Sequence, residues 1–280
     1  LSSHNQDVVY FCSNRLHRSS NKGDNFETIS ADLTNGGKTG NVSYGTLTTI
    51  SESPLSKGLV YTGSDDGLVY VTKNDGANWE NISGGLPKDL WVSRVIASKY
   101  NQATVYVTLN GYRWDNFEPY VYRSDNYGKE WKKIGTNLPY EPVNVIKEDT
   151  KEKDVLYLGT DAGVYVSIDR GVTFNAMKGN LPNVPVHDLA VHPTANELIL
   201  GTHGRSIYIA DITLIQKYKQ IAGQNKIHIF DIENVNYSPN WGNRNFDWNY
   251  TKPKDMAIPF YCNEKQKLNV TIFTADNIKV

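Results

Sequence analysis

Four versions of one eight-residue phrase run through the chain. Ser19-Ser20-Asn21-Lys22-Gly23-Asp24-Asn25-Phe26 returns as Thr72-Lys73-Asn74-Asp75-Gly76-Ala77-Asn78-Trp79. It returns again as Ser124-Asp125-Asn126-Tyr127-Gly128-Lys129-Glu130-Trp131 and as Ser167-Ile168-Asp169-Arg170-Gly171-Val172-Thr173-Phe174. The frame is hydroxyl, any residue, Asp or Asn, any residue, Gly, two further positions, aromatic. Steps of 53, 52 and 43 residues separate the copies. Self-similarity at such a period means one supersecondary unit stacked on copies of itself.

The runs around each phrase say what the unit is. Val69-Tyr70-Val71, Tyr120-Val121-Tyr122 and Val164-Tyr165-Val166 precede three of the phrases. Further upstream lie Val8 to Phe11, Leu59 to Tyr61, Thr104 to Val107 and Val155 to Leu158. These β-branched and aromatic runs alternate with period two between Gly, Asp and Asn, which predicts strands. An inner strand is typified by Arg94 to Ala97 and by Asn144 to Ile146, and an outer one is expected to start at the aromatic. Four strands in such a repeat is the size of a β-propeller blade. A fifth unit, Asp188 to Val191, Leu198 to Leu200 and Ser206 to Ile209, carries no phrase.

The phrase suits a tight hairpin between the third and fourth strands. The Asx side chain (Asn21, Asn74, Asn126, Asp169) can bond downstream backbone N–H groups. Gly23, Gly76, Gly128 and Gly171 supply a positive φ. Phe26, Trp79, Trp131 and Phe174 are expected to wedge between neighbouring sheets. With Ser19, Thr72, Ser124 and Ser167 these residues read as structural staples rather than as a site.

After Asp211 and Ile212 the pattern changes. Residues 1–212 read as propeller, 213–225 as a linker with room for a short helix, and 226–280 as the start of a sandwich-like β module. In the last stretch, strands are expected at Lys226 to Phe230 and at Lys267 to Phe273, flanking the Asn-rich Tyr237 to Asn249. The first unit lacks its innermost strand, which marks the chain as a fragment of a longer polypeptide. A net charge of −1 gives no electrostatic case for nucleic acid or an acidic membrane surface. No apolar run reaches the length of a membrane helix. Cys12 and Cys262 fall in different modules, so no disulfide framework exists, and they leave the compartment undecided. Sequons stand at Asn41, Asn81, Asn249 and Asn269.

The phrases resemble the BNR or Asp-box repeat shared by sialidases, sortilin-type receptors and the double-propeller xyloglucan hydrolases. Tyr61-Thr-Gly-Ser-Asp-Asp-Gly67, Tyr157-Leu-Gly-Thr-Asp-Ala-Gly163 and Gly201-Thr-His-Gly-Arg-Ser-Ile-Tyr208 look like the sortilin-like BNR-repeat proteins that bacteria export. The resemblance implies an incomplete all-β propeller followed by a sandwich-type module. It implies a secreted, periplasmic or surface location, and a glycan or protein ligand or other chains of an envelope assembly as partners. It does not fix an activity.

In a propeller the loops between second and third strands, and between successive blades, gather at one mouth of the channel. That rule selects Asp65 and Asp66, the insert Asn110 to Pro119 with Arg113, Trp114 and Asp115, then Asp161, then His203 and Arg205. The inter-blade loops add Trp91, Arg94, His187 and Asp188. Trp91, Arg94, Arg113, Trp114, His203 and Arg205 are candidate ligand contacts, since aromatic and guanidinium groups hold sugars and peptides. Asp65, Asp66, Asp115 and Asp161 are candidates for the carboxylate pair of a glycoside hydrolase, an inverting one if active. The same residues have plainer readings: Asp65 and Asp161 precede turns they can shape, and Arg205 can pair with a carboxylate. His187 and His192 lie five apart on a presumed strand and cannot ligate one metal. No H-E-x-x-H, G-x-S-x-G or phosphate-binding glycine loop occurs, so neither metal nor cofactor is expected.

Overall fold

The computed structural model describes residues 1–36, 45–179, 181–221, 226–232, 239, 257–262 and 264–273. The fold separates into two compact units, 1–216 and 217–280.

The first unit is a series of five antiparallel sheets. Blade 1 comprises β1 (Val9–Cys12), β2 (Leu16–Ser19) and β3 (Glu27–Thr28). Blade 2 comprises β4 (Leu47–Glu52), β5 (Val60–Ser64), β6 (Val69–Thr72) and β7 (Glu80–Asn81). Blade 3 comprises β8 (Trp91–Ala97), β9 (Val105–Gly111), β10 (Asn116–Ser124) and β11 (Lys132–Lys133). Blade 4 comprises β12 (Val143–Glu148), β13 (Leu156–Thr160), β14 (Val164–Ser167) and β15 (Asn175–Ala176). Blade 5 comprises β16 (Val186–Val191), β17 (Glu197–Thr202) and β18 (Ile207–Asp211). Sheets of this kind, set in a row and not closed on themselves, form part of a β-propeller. The fourth strands start one residue later than expected, because the box aromatic itself turns into the inter-blade space.

Each box forms the same reversal. The hydroxyl of Ser19, Thr72, Ser124 or Ser167 accepts the box glycine N–H at 2.8–3.0 Å. It donates to the Asx oxygen at 2.7–3.0 Å. That oxygen accepts the N–H four residues on, from Asn25, Asn78, Glu130 or Thr173. The glycines have φ between 85° and 102°, and the residues before them, Lys22, Asp75, Tyr127 and Arg170, are left-handed too. Side-chain bonds to the turn hold that uncommon pair of conformations in place.

Asp169 is the one carboxylate among four otherwise equivalent positions. Burial pushes its pKa up, but hydrogen bonds from Thr173, Ser167 and Val172 outweigh this and hold it below the ordinary value. A depressed value stabilises the fold above the unfolded-state pKa, about 3.9. The stabilisation is lost as pH falls through the folded-state value. Asp169→Asn, which installs the side chain of the other boxes, should keep the fold and remove this acid dependence. Urea unfolding at neutral and at low pH should show wild type ahead at neutrality and the gap narrowing in acid.

Boxes also fasten blades to one another. The Trp79 indole donates to Ile29 O at 2.9 Å, and that of Trp131 to Ile82 O at 2.7 Å. The Phe174 ring has no N–H to donate, and Asn137 of the preceding blade clamps its backbone instead, giving its Nδ2 to Phe174 O at 2.7 Å and accepting the Phe174 N–H at 3.0 Å. Phe26 is the exception. It is 47% exposed, because no described blade precedes it. The expected wedge is therefore absent in blade 1. Between blades, aliphatic rows interdigitate in four clusters, one per interface.

The segment read as a linker forms α1 (Thr213–Ile221). Ile212 and Gln216 are buried, and Gln216 Nε2 donates to Asp149 at 3.0 Å. In the second unit, β19 (Ile227–Ile229) pairs antiparallel with β20 (Phe260–Cys262). The expected strand at Lys267 to Phe273 is reduced to a single bridge at Phe273. Its Val270 and Ile272 are exposed, whereas Tyr261 of β20 packs on the Tyr218 ring at 5.2 Å. The Asn-rich stretch from Tyr237 lies outside the described residues, Pro239 apart. Cys12 and Cys262 are both free, and burial pushes the Cys12 thiol up to about 11.

Candidate functional site

The first strand of each of blades 2 to 5 carries the same irregularity. Register slips between Leu47 and Thr49, Val92 and Arg94, Val143 and Val145, and Val186 and Asp188. A bulge of this kind re-aims one side chain. The re-aimed residues are Thr48, Ser93, Asn144 and His187. Two of them tie blades together: Thr48 Oγ1 donates to Val92 O at 2.7 Å, and Ser93 Oγ to Val143 O at 2.9 Å. The third and fourth line a cavity, as Ser93 does too.

That cavity, about 410 Å³, is walled by blades 3, 4 and 5. Trp91, Ser93 and Arg94 enter from β8, and Asn110, Tyr112 and Arg113 from the end of the β9–β10 hairpin. Asn144 and Asp161 come from blade 4, and Pro185, His187 and His203 from blade 5. Arg113 lies over the Trp91 ring, 4.2 Å from its centroid, a cation–π stack. A buried amide chain crosses the floor: Asn110 Nδ2 donates to Asn144 Oδ1 at 2.8 Å, and Asn144 Nδ2 to Asp161 Oδ1 at 2.8 Å. Arg94 reaches from blade 3 to blade 5, where its Nη2 meets Asp188 Oδ1 at 2.9 Å. Its Nε is buried without a partner among the described residues. Lys147 nearby has its pKa held down, chiefly by burial and then by Arg94. The His187 and His203 rings face each other at 5.4 Å.

The structure thus brings together Trp91, Arg94, Arg113, Asp161 and His203 of the sequence candidates. Trp91, Arg94, His187 and Asp188 stand on strands rather than in the inter-blade loops expected, because the bulges lie inside β8 and β16. The insert Asn110 to Pro119 is likewise mostly strand; only the short 3₁₀ turn Tyr112–Trp114 and Asp115 form its tip. Asp115 closes that tip with φ 53° and is exposed. Trp114 is 53% exposed and does not line the cavity. Arg205 sits exposed in the β17–β18 turn and makes no ion pair among the described residues.

Asp65 and Asp66 serve their own loop. Asp65 Oδ1 accepts Thr46 N–H at 2.9 Å, and Asp66 accepts the Ser64 hydroxyl and, at 2.7 Å, Asn35 N–H. Of the four candidate carboxylates, Asp161 alone lines the cavity. Among the described residues no group of three His, Cys, Asp or Glu side chains could hold a metal ion. No helix there is long and apolar enough to cross a membrane. Sequence reasoning missed Ser93, Asn110 and Asn144. The signal was present as an aliphatic residue followed by a polar one at the head of each first strand: Leu47-Thr48, Val92-Ser93, Val143-Asn144 and Val186-His187.

A family model described as "Sortilin, neurotensin receptor 3" matches residues 119–277. No curated protein matches the sequence. Among solved structures, the xyloglucanase of glycoside hydrolase family 74 from Xanthomonas campestris superposes with a TM-score of 0.57 at 15% identity, over 73% of this chain and 34% of its own. The β-propeller domain of Cps50 from Myceliophteria thermophila gives 0.53 at 12% identity, over 72% and 61%. An extracellular domain from B. thetaiotaomicron gives 0.53 at 15%, over 73% and 26%. The chain therefore spans about a third of the xyloglucanase, and identities this low carry the propeller fold alone.

Proposed function

The chain belongs to the Sortilin-Vps10 family, and we propose that its propeller is an exported binding module whose channel mouth takes a glycan or protein ligand. One observation carries this reading: the cavity places a stacked guanidinium, a spare Arg94 donor and a buried amide chain around about 410 Å³ of open space. Apolar walls with a few convergent polar groups are the usual make-up of a binding site. The alternating donors and acceptors of Asn110, Asn144 and Asp161 suit hydroxyl or peptide groups equally. A propeller seen as an extracellular domain elsewhere supports export.

Glycoside hydrolysis has less support. It needs two carboxyls flanking the bond, and among the residues lining the cavity Asp161 is the one carboxylate. The reading is tested by screening the whole chain against glycan and peptide arrays and titrating the best ligand. Arg113→Ala and Trp91→Ala should each weaken binding at least about tenfold, which is about 1.4 kcal/mol. Asp115→Asn should leave it unchanged. Release of sugar by the wild type, lost in Asp161→Asn, would overturn the binding reading in favour of an enzyme.

A further inference from the structure

We infer that Asn144 is the positioning residue of the cavity: its carboxamide holds Asp161 and the blade 3 tip bearing Arg113 in one fixed arrangement, with an Asp161 oxygen left to accept from a ligand. The inference rests on the binding reading for what the cavity holds, not for how its walls are fixed. The repeat supplies the control. At the equivalent bulge positions of blades 2 and 3, Thr48 and Ser93 are hydroxyls that bond the next blade, at Val92 O and Val143 O. The matching acceptor for Asn144 would be Val186 O, one residue ahead of the re-aimed His187. Asn144 bonds instead to Asn110 and Asp161. A hydroxyl suffices to tie blades together, so the larger amide answers to another demand.

That demand is visible in the bonds themselves. Tyr112 N–H donates to Asn110 Oδ1 at 3.0 Å, Asn110 Nδ2 to Asn144 Oδ1 at 2.8 Å, and Asn144 Nδ2 to Asp161 Oδ1 at 2.8 Å. A backbone N–H can only donate, and a carboxylate can only accept. The two ends therefore set the orientation of both amides, and donation runs one way from blade 3 to blade 4. Asn110 and Asn144 are buried, and hydrogen bonds in such a chain polarise and strengthen one another. At one end stands the carboxylate of the cavity, whose Oδ2 has no hydrogen-bond partner among the described residues. At the other stands the 3₁₀ turn Tyr112–Trp114, whose Arg113 lies 4.2 Å from the centroid of the Trp91 ring. Asn144 at the centre thus couples an acceptor on one wall to a cation on another. Blades 3 and 4 each have described blades on both sides, so the chain of bonds lies inside the stack.

The Trp91 indole reports on the tip. Its N–H resonance in the 280-residue chain, assigned by its loss in Trp91→Phe, is followed against pH without any ligand. Asn144→Ser installs the residue of blade 3, which regains Val186 O, while water in the cavity meets the freed Asn110 amide. This variant should melt close to wild type yet displace the resonance at every pH. Asn144→Asp sets two carboxylates in contact, and such a pair shares a proton and restores donation only in acid. Its resonance should be displaced at about pH 8 and return to the wild-type position at about pH 5. Arg94, Arg113, His187 and His203 face the same cavity, and Asp188 reaches it through Arg94. Histidine changes charge in the same window, so each variant is read as a difference from wild type at equal pH. An Asn144→Ser resonance at the wild-type position, an Asn144→Ser chain that melts well below wild type, or an Asn144→Asp displacement that acid does not reverse would each overturn the inference. None of these outcomes involves a ligand, so they stand apart from the array screen that tests the binding reading.

Discussion

Asp149→Ala is expected to cost the first unit about 3–5 kcal/mol, the sum of several bonds to one buried carboxylate. Asp149 is fully buried. It accepts the N–H groups of Lys151 at 2.7 Å and Glu152 at 2.9 Å, the Tyr157 hydroxyl at 2.9 Å and Gln216 Nε2 at 3.0 Å. Alanine leaves all four donors facing a void, and unmet buried donors cost more than the bonds they replace. The repeat provides a graded control. At the equivalent turns Ser53 and Ser98 cap the following N–H groups with a hydroxyl. Asp149→Ser should therefore recover the two backbone bonds but reach neither Tyr157 nor Gln216, at a cost of about half. Gln216→Ala isolates the contact that pins α1. Urea unfolding followed by tryptophan fluorescence ranks the three. An Asp149→Ala variant no weaker than Gln216→Ala would show that the carboxylate anchors only the helix.

Gly128→Ala should cost about 2–5 kcal/mol, from left-handed strain of about 1–2 kcal/mol and overpacking of about 1–3 kcal/mol. Gly128 has φ +86°, and an added Cβ would run into Ile82 of the preceding blade, meeting its Cδ1, its Cβ at 3.0 Å and its Cγ1 at 3.1 Å. Gly23 separates the two contributions. It holds the same reversal at φ +102°, but a Cβ there would meet only its own Phe26 ring, at 3.9 Å. Gly23→Ala should pay for strain alone. Gly84→Ala, with open space around it, should stay within about 0.5 kcal/mol of wild type.

These contrasts also show which parts of the molecule were legible in the sequence. The hydroxyl, Asx and glycine of each box are local chemistry, so the reversals and the strands beside them could be read directly. The partner of the aromatic could not: Ile82 lies 49 residues from Trp131, and nothing in the box of Phe26 sets it apart as the one exposed ring. The site divides in the same way. Loop logic brought Arg113, Asp161 and His203 to one mouth. It also put Trp91 and Arg94 on loops, because a bulge inside a strand leaves no break in the apolar pattern. Two of the four candidate carboxylates, Asp65 and Asp66, are satisfied by Thr46, Ser64 and Asn35, and acid residues at a turn look alike whichever task they perform.

The claim that each box seats on the blade before it is tested most directly by a double-mutant cycle between Gly128→Ala and Ile82→Ala. Trimming Ile82 removes the Cγ1 and Cδ1 that crowd the new methyl, while the φ strain stays. The double variant should therefore be more stable than the sum of the single losses predicts, by about 1 kcal/mol or more. Losses that add to within about 0.5 kcal/mol would mean that the glycine and the isoleucine do not meet, and the blade order described would be wrong.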